Sequence, residues 1–257
     1  MFDDVETWSG AAKTILLIVL LSSTTFACES KGPATQDAEI SRQSPDVLNA
    51  GFVVAENVFN SELMAPFDIF HHTIFRDSDR YIRPFIVSPD GKKFKTFEGI
   101  TIEADYSFDS SPPIDILVIP STDGSMSDDL TNEAYMAFIE SAAQGADWVL
   151  TLCDGAFPLA ETGLLSGRVA TTFPGDRDEF ALRYPDVDLR YDANFVVDGK
   201  FVTSVGGALS YEPALYLVDR IYSWKAAAKT AEGMVLGWDP SSIPHIVDGE
   251  YALRSSD

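Results

Sequence analysis

The 257-residue chain is poor in histidine and cysteine, with three of the first and two of the second. Two cysteines cannot build the dense disulfide framework that stabilises small secreted domains, so the fold must depend on a hydrophobic core. The three histidines are His71, His72 and His245. Adjacent residues of a helix point in different directions, so His71 and His72 are poorly placed to bind one metal ion together. We therefore expect neither a metal nor a cofactor.

Basic residues are scarce as well. The chain has 18 Lys and Arg against 40 Asp and Glu, which gives a formal net charge of −22 and a pI near 4.3. Nucleic acids and anionic membranes repel such a surface, so nucleic acid is excluded as a partner. A small-molecule substrate or ligand is the partner that we expect. Hydrophobic residues make up 46% of the chain, which is enough for one sizeable core in one or two domains.

The apolar run before Cys28 is too short to cross a bilayer, which takes about 20 residues. It is typical of a secretory signal. A cysteine straight after the small residues at the end of such a run resembles the acylation site of bacterial lipoproteins. Residues 1–28 are therefore predicted to be a signal with Cys28 as the lipidation site, in an exported, membrane-anchored protein of the periplasm or cell surface. Thr25 stands where lipoproteins carry an aliphatic residue, and Asp3 and Asp4 make the head acidic, so secretion without an anchor, or a cytoplasmic protein, stays open.

The pattern of the remaining chain predicts one folded domain at residues 49–235. Residues 29–48 are polar and predict a flexible tether, and residues 236–257 predict an irregular C-terminal tail. Within the domain, apolar strand patterns alternate with helical ones, including one long helix from Gly206 to about Ala231. Such alternation predicts an α/β fold with a mostly parallel sheet sandwiched by helices, whose ligands bind at the carboxyl ends of the strands.

The most informative stretch is residues 148–157, where an apolar strand pattern ends abruptly at Cys153. A glycine-containing turn and a helical pattern follow at once. A strand that ends in a nucleophile and turns sharply into a helix is the nucleophile elbow of α/β hydrolytic enzymes. The start of a helix also favours a thiolate over a thiol, which predicts a reactive Cys153.

Residues 152–172, with Cys153-Asp-Gly-Ala-Phe-Pro-Leu-Ala-Glu-Thr-Gly-Leu-Leu at their centre, resemble the elbow segment of the ThiJ/PfpI family. That resemblance implies a class I glutamine amidotransferase-like (flavodoxin-like) fold, and homodimers are common among its members. It also implies that Glu62, in Ser-Glu-Leu-Met-Ala-Pro, hydrogen bonds the elbow cysteine. The elbow pattern is also similar to the sensor domains of AraC-type regulators. No basic run follows the domain, however, so a DNA-binding segment is not expected.

The chain departs from the family pattern at the expected pocket. Asp154 follows the cysteine where peptidases and glyoxalases of the family carry histidine, and Phe173 stands where other members carry one. Ser121 and Thr122 replace the two glycines that usually follow the proline of the preceding strand. Asp154, as an anion, would raise the pKa of Cys153; alternatively, it points away and caps the next helix. The backbone N–H groups of Asp154 and of the Ser121 region are expected to hold an oxyanion.

Two functions follow as hypotheses. The first is a cysteine-dependent hydrolase, hydratase or lyase that acts on a small carbonyl or C–N substrate, with Cys153 as nucleophile and Glu62 as proton donor or acceptor. The second is a non-enzymatic ligand-binding or redox-sensing domain, whose chemistry would be oxidation of Cys153. The missing histidines favour the second hypothesis, and the elbow favours the first.

Overall fold

The computed structural model describes residues 47–76 and 80–248. The predicted signal with Cys28, and nearly all of the predicted tether, lie outside these residues. The strands are β1 Leu48–Val53, β2 Ile82–Ser88, β3 Lys93–Lys95, β4 Thr101–Glu103, β5 Tyr106–Ser107, β6 Ile116–Ile119, β7 Trp148–Leu152, β8 Val169–Ala170, β9 Asp188–Leu189, β10 Phe195–Asp198, β11 Phe201–Ser204 and β12 His245–Asp248. The helices are α1 Asn60–Arg76, α2 Glu133–Gly145, α3 Ala156–Glu161, α4 Arg177–Arg183, α5 Tyr211–Ile221 and α6 Trp224–Gly233.

Eight of these strands form the central sheet, in the order β12-β10-β11-β7-β6-β1-β2-β5. Every neighbouring pair in this sheet is parallel except β10 and β11, which form an antiparallel hairpin. Two small pairs lie outside it, the antiparallel β3 and β4 and the parallel β8 and β9. The predicted mostly parallel α/β sheet is confirmed.

Both faces of the sheet are covered, as parallel sheets require. Because successive side chains of a strand point to opposite faces, Phe52 and Val53 of β1 enter different cores. Phe52 packs in the core that also contains residues of α1, α5 and α6. Val53 packs in the core with residues of α2, α3 and α4. The sheet is thus the middle layer of a three-layer sandwich.

The predicted long helix from Gly206 to Ala231 is wrong, because two helices occupy this stretch. Gly206 and Gly207 have φ of 74° and 58°, outside the right-handed helical region, and α5 begins only at Tyr211. The second break is at Ser223, whose side chain accepts a hydrogen bond from the N–H of Ala226 and caps α6. An N-cap residue has non-helical backbone angles, so one continuous helix cannot pass through Ser223.

The predicted irregular tail is wrong for part of its length. β12 adds to the edge of the central sheet beside β10, and the His245 ring stacks on Phe195 with the ring centroids 4.9 Å apart. Trp238 is buried, and its indole N–H donates to Asp219 of α5 over 3.0 Å. Residues beyond 235 therefore contribute to the same domain. A four-residue strand after a proline is too short to show a clear period in sequence, which is why the pattern did not reveal it.

Candidate functional site

Cys153 lies directly after β7, at the carboxyl end of the central sheet. The residues Cys153–Gly155 form a single 3₁₀ turn that leads into α3. The backbone of Cys153 has φ of 54°, in the left-handed region that residues with a side chain rarely adopt. Backbone strain of this kind is found mainly at active sites and ligand-binding sites. The predicted elbow is thus present in its backbone geometry.

Two glycines allow the backbone to approach this turn. A Cβ atom on Gly155 would lie 2.1 Å from the carbonyl oxygen of Ile119, at the end of β6. A Cβ atom on Gly206, which has φ of 74°, would lie 2.4 Å from the Cβ of Cys153. Both distances are far inside van der Waals contact, so each position requires glycine. The elbow is therefore held between the end of β6 and the loop after β11.

Glu62 lies in the first turn of α1 and is only 4% exposed. Its Oε1 accepts a hydrogen bond from the N–H of Gly207 over 3.3 Å. Its Oε2 is buried without a well-formed hydrogen bond, and the Cys153 thiol and the Ser121 backbone N–H lie beside the carboxyl. Burial, with a smaller contribution from the charge of Asp154, raises the pKa of Glu62 to about 7. The structure brings Glu62 and Cys153 together, while their catalytic roles stay predictions.

Asp154 faces the site instead of capping α3, which has no side-chain cap. Its Oδ2 lies 3.8 Å from the Sγ of Cys153, and its Oδ1 accepts a hydrogen bond from the hydroxyl of Thr172 over 3.2 Å. The same hydroxyl donates to the carbonyl oxygen of Cys153 over 3.0 Å. Burial, followed by the neighbouring Asp176 carboxyl, raises the pKa of Asp154 to about 7. The alternative in which Asp154 points away is therefore wrong.

The thiol of Cys153 is 8% exposed. Burial and the carboxyls of Glu62 and Asp154 raise its pKa, while the backbone N–H of Asp154 and the hydroxyl of Ser121 oppose the shift. The expectation that the helix start favours a thiolate is therefore wrong for this site. If Cys153 acts as a nucleophile, it therefore starts as a neutral thiol and loses its proton as it attacks the substrate.

The other predicted pocket residues are Ser121, Thr122 and Phe173, and only Ser121 lies beside both the thiol and Glu62. Ser121 is 1% exposed, with its hydroxyl beside the Cys153 thiol and its backbone N–H beside the Glu62 carboxyl. Its hydroxyl donates to the carbonyl oxygen of Thr122 over 3.4 Å. Thr122 instead directs its hydroxyl to Ser125 and Asp129, so its side chain stabilises the loop after β6. Phe173 is 43% exposed and directly follows the Thr172 that binds the elbow.

Sequence reasoning missed the roles of Thr172, Asp176 and Gly207, whose N–H binds Glu62. Thr172 belongs to a short threonine-rich segment, and such a segment predicts a strand without showing which hydroxyl reaches the elbow. Asp176 precedes α4, where an aspartate is expected simply to cap the helix. In both cases the decisive partner lies far away in sequence, so only the folded chain reveals it.

The histidines lie in α1 and β12. His72 on α1 contacts the carbonyl oxygen of Asp68 through its Nδ1, and His245 stacks on Phe195 in β10. In the described ranges, 47–76 and 80–248, no three histidine, cysteine or carboxylate side chains are grouped so that they could hold a metal ion. Among the helices of this same part of the chain, none has the length and apolar character needed to cross a membrane.

Known proteins are similar to this chain in sequence. The chain is 26% identical over 176 residues to an isonitrile hydratase of Pseudomonas putida, an alignment that covers 67% of the chain and 74% of that enzyme. It is 24% identical over 130 residues to the protein dj-1beta of Drosophila melanogaster, covering 51% of the chain and 68% of that protein.

Solved structures give the same fold. The crystal structure of Drosophila melanogaster DJ-1beta superposes with a TM-score of 0.66 at 19% identity, over 75% of this chain and all of that one. An AraC family transcriptional regulator from Pseudomonas putida superposes with a TM-score of 0.63 at 20% identity, over 73% of this chain and 99% of that one. The predicted likeness to AraC-type regulators is confirmed at the level of the fold. The sequence model of the DJ-1/PfpI family matches residues 49–219, more than half of the chain, and the chain therefore belongs to the DJ-1/PfpI family.

Proposed function

We propose that this protein is a cysteine-dependent enzyme that adds water to a small C–N substrate, with an isonitrile as the first substrate to test. Cys153 is the nucleophile and Glu62 is the proton donor. The observation that carries the proposal is the contact of a buried thiol with a buried carboxyl whose pKa is about 7. A carboxyl with that pKa is partly protonated near neutral pH and can both give and take a proton.

The chemistry fits an isonitrile because its terminal carbon accepts both a nucleophile and a proton. As the S–C bond forms, the S–H bond breaks and its proton passes to the neighbouring Asp154 carboxylate, while Glu62 supplies a proton to the same carbon, which leaves a thioformimidate on Cys153. Water then adds across the C=N bond, with one of its protons passing through Glu62 to the nitrogen. As the C–S bond breaks, the hydroxyl proton returns to Glu62 and sulfur regains its proton from the carboxyl that took it up, which releases an N-substituted formamide and restores the thiol. No oxidant, metal or cofactor is consumed.

The relation to an isonitrile hydratase supports this substrate class. Carbonyl compounds and amides stay within the wider proposal, as substrates of a hydrolase or lyase that uses the same nucleophile. The raised thiol pKa weakens the redox-sensing alternative, because peroxides oxidise thiolates. A buried thiol with two carboxyl neighbours is better suited to react with a neutral molecule that enters the pocket.

Turnover with purified full-length protein tests the proposal. Alkyl and aryl isonitriles, glyoxals and primary amides are offered to the wild type and to Cys153→Ala, Glu62→Gln and Cys28→Ser. We expect isonitrile turnover that Cys153→Ala abolishes, that Glu62→Gln lowers on the order of 10²–10⁴-fold, and that Cys28→Ser leaves unchanged. A formimidate adduct on the Cys153 peptide should appear by mass spectrometry after rapid quenching. Absence of cysteine-dependent turnover in all three classes would leave a ligand-binding domain and overturn the enzyme.

We also propose that the protein is exported and anchored through lipid on Cys28, and that it forms homodimers. The sequence of residues 1–28 supports the first statement, and membership of the DJ-1/PfpI family supports the second. Sedimentation of the purified protein at several concentrations tests the dimer, for which we expect twice the chain mass of 28.1 kDa. Sedimentation at the monomer mass at every concentration would overturn it.

A further inference from the structure

Asp176 occupies the N-cap position of α4 and yet makes no capping hydrogen bond with its side chain. An aspartate at this position usually accepts a hydrogen bond from the first turn, which stabilises the helix by about 1 kcal/mol. Here the Asp176 carboxyl instead lies beside the carboxyl of Asp154. The side chain thus forgoes an available interaction for contact with a second acid.

That second acid touches the reactive centre. Asp154 Oδ2 lies 3.8 Å from the Sγ of Cys153, and the Thr172 hydroxyl fixes the other carboxylate oxygen. Two neighbouring carboxyl groups favour a state in which one of them carries a proton, because two anions close together repel. The pair therefore keeps an exchangeable proton next to the thiol.

We propose that the Asp154–Asp176 pair is the group that takes up the thiol proton of Cys153 and returns it, with Asp154 as the catalytic residue and Asp176 as its positioning residue. This inference rests on the proposed function of Cys153 as a nucleophile. In its ionised form Asp154 accepts the proton as the S–H bond breaks and the S–C bond forms. When the C–S bond later breaks, protonated Asp154 gives the proton back to sulfur. Glu62 remains free to handle the proton that goes to the substrate.

The surroundings of the pair favour separate roles, in which Asp154 exchanges the thiol proton and Glu62 exchanges the substrate proton. Glu62 reaches the thiol from α1, and Asp154 reaches it from the elbow, so the thiol has an acid from each of two elements. Arg177, next to Asp176, directs its guanidinium to the carbonyl oxygens of Tyr191 and Ala193. The charge that acts on Asp154 is thus that of the Asp176 carboxyl, and burial and Asp176 together raise the pKa of Asp154 to about 7.

The variants Asp154→Asn and Asp176→Asn test the pair, with Asp178→Asn as the matched control. Asp178 is an exposed acid in the first turn of the same helix, so its removal changes the same charge without touching the pair. The first measurement is ¹³C NMR titration of the aspartate carboxyl carbons in the full chain. We expect one aspartate of the wild type to titrate near pH 7 instead of near 4, and Asp176→Asn to lower that value by more than one pH unit. Asp178→Asn should leave it in place.

The second measurement is the rate at which iodoacetamide alkylates Cys153, followed on its peptide by mass spectrometry. Above about pH 8 the wild-type pair carries two charges and Asp176→Asn leaves one, so the variant should react several-fold faster. Near pH 6 the pair already holds one proton, so the two proteins should react at similar rates. A purely structural role for Asp176 would not produce an effect confined to high pH.

Turnover gives the third measurement. If isonitriles are substrates, the acidic limb of kcat/KM should move to lower pH in Asp176→Asn and stay in place in Asp178→Asn. The inference would be overturned if every aspartate of the wild type titrated near pH 4. It would also be overturned if Asp176→Asn and Asp178→Asn gave the same NMR titration, alkylation rates and pH profile. If no substrate is turned over while the NMR and alkylation results hold, the reaction proposed above fails and the pair remains the proton-exchange partner of the thiol.

Discussion

The carboxyl of Glu62 lies against the thiol of Cys153, although Glu62 is in the first turn of α1 and Cys153 directly follows β7. β1, β6 and β7 are consecutive neighbours in the sheet, and the segments that follow them carry Glu62, Ser121 and Cys153. Parallel strands deliver their carboxyl ends to one edge, so three distant segments meet there. The proximity of acid and thiol is therefore a consequence of strand order.

Glu62→Gln should make Cys153 more reactive towards iodoacetamide while lowering turnover. The amide has the shape of the acid without its charge, so one cause of the raised thiol pKa disappears, together with the proton donor. We expect alkylation at about pH 8 to accelerate roughly tenfold. Glu133→Gln is the control, because Glu133 is an exposed acid in the first turn of α2. Slower alkylation of Glu62→Gln would show that the carboxyl activates the thiol.

Stability should fall as pH rises through the range where Glu62 ionises. Its pKa is about 7 in the folded protein against 4.5 for the free group, so between these values the folded state binds more protons than the unfolded state. Protonation of Glu62 therefore adds to the free energy of unfolding an amount on the order of 3 kcal/mol. This stabilisation is fully present below about pH 4.5 and is lost as the pH rises through 7. Urea unfolding at several pH values measures it. Glu62→Gln should have a shallower decline, and equal slopes in both proteins would contradict the burial argument.

How far the sequence predicted this site depends on whether the information was local. The elbow was predictable because an apolar run, Cys153 and Gly155 stand together in the chain. Glu62 was found through a family resemblance, since its distance from Cys153 along the chain gives no clue to contact. For the thiol pKa the sequence indicated two opposing effects, the helix start and an anionic Asp154. Which effect is larger depends on burial and on the orientation of Asp154 set by Thr172, and neither is visible in a local pattern.

In the fold, too, features that depend on the local sequence were predicted, and features that depend on distant partners were missed. Strands buried on both faces, such as β6 and β7, are nearly continuous apolar runs, so the local sequence pattern is enough to predict them. The break at Ser223 was missed because a single serine between helical patterns is a weak signal, and its capping hydrogen bond to Ala226 forms only in the folded helix. β12 was missed because its stability comes from pairing with β10.

Gly206→Ala should disturb the elbow more than an ordinary glycine substitution does. The new methyl group would lie 2.4 Å from the Cβ of Cys153, in a residue with φ of 74°. Gly163→Ala is the matched control, because Gly163 has φ of 80° with no atom within 4 Å of the added carbon. Both variants should lose about 1 kcal/mol from backbone strain, and Gly206→Ala should lose at least about 1 kcal/mol more. Equal losses in thermal or urea unfolding would show that the elbow can yield.

Cys28→Ser should abolish incorporation of labelled palmitate in a bacterial host, because the lipid is attached to the sulfur of that residue. Cys153→Ser is the control, since it removes the other cysteine and should leave labelling intact. Labelled protein should fractionate with membranes, and the Cys28→Ser protein should not. Equal labelling of wild type and Cys28→Ser would refute the anchor.

Trp238→Phe should loosen the C-terminal segment without unfolding the sheet. The indole N–H of Trp238 donates to Asp219 over 3.0 Å, and phenylalanine keeps most of the buried ring but leaves that carboxyl without its donor. We expect a loss of about 1–2 kcal/mol in the free energy of unfolding and faster hydrogen exchange at the backbone amides of β12. Trp224→Phe is the control, because Trp224 is 55% exposed. If β12 exchanged at the wild-type rate in Trp238→Phe, pairing with β10 alone would hold the strand, and the indole would be only a filler of the core.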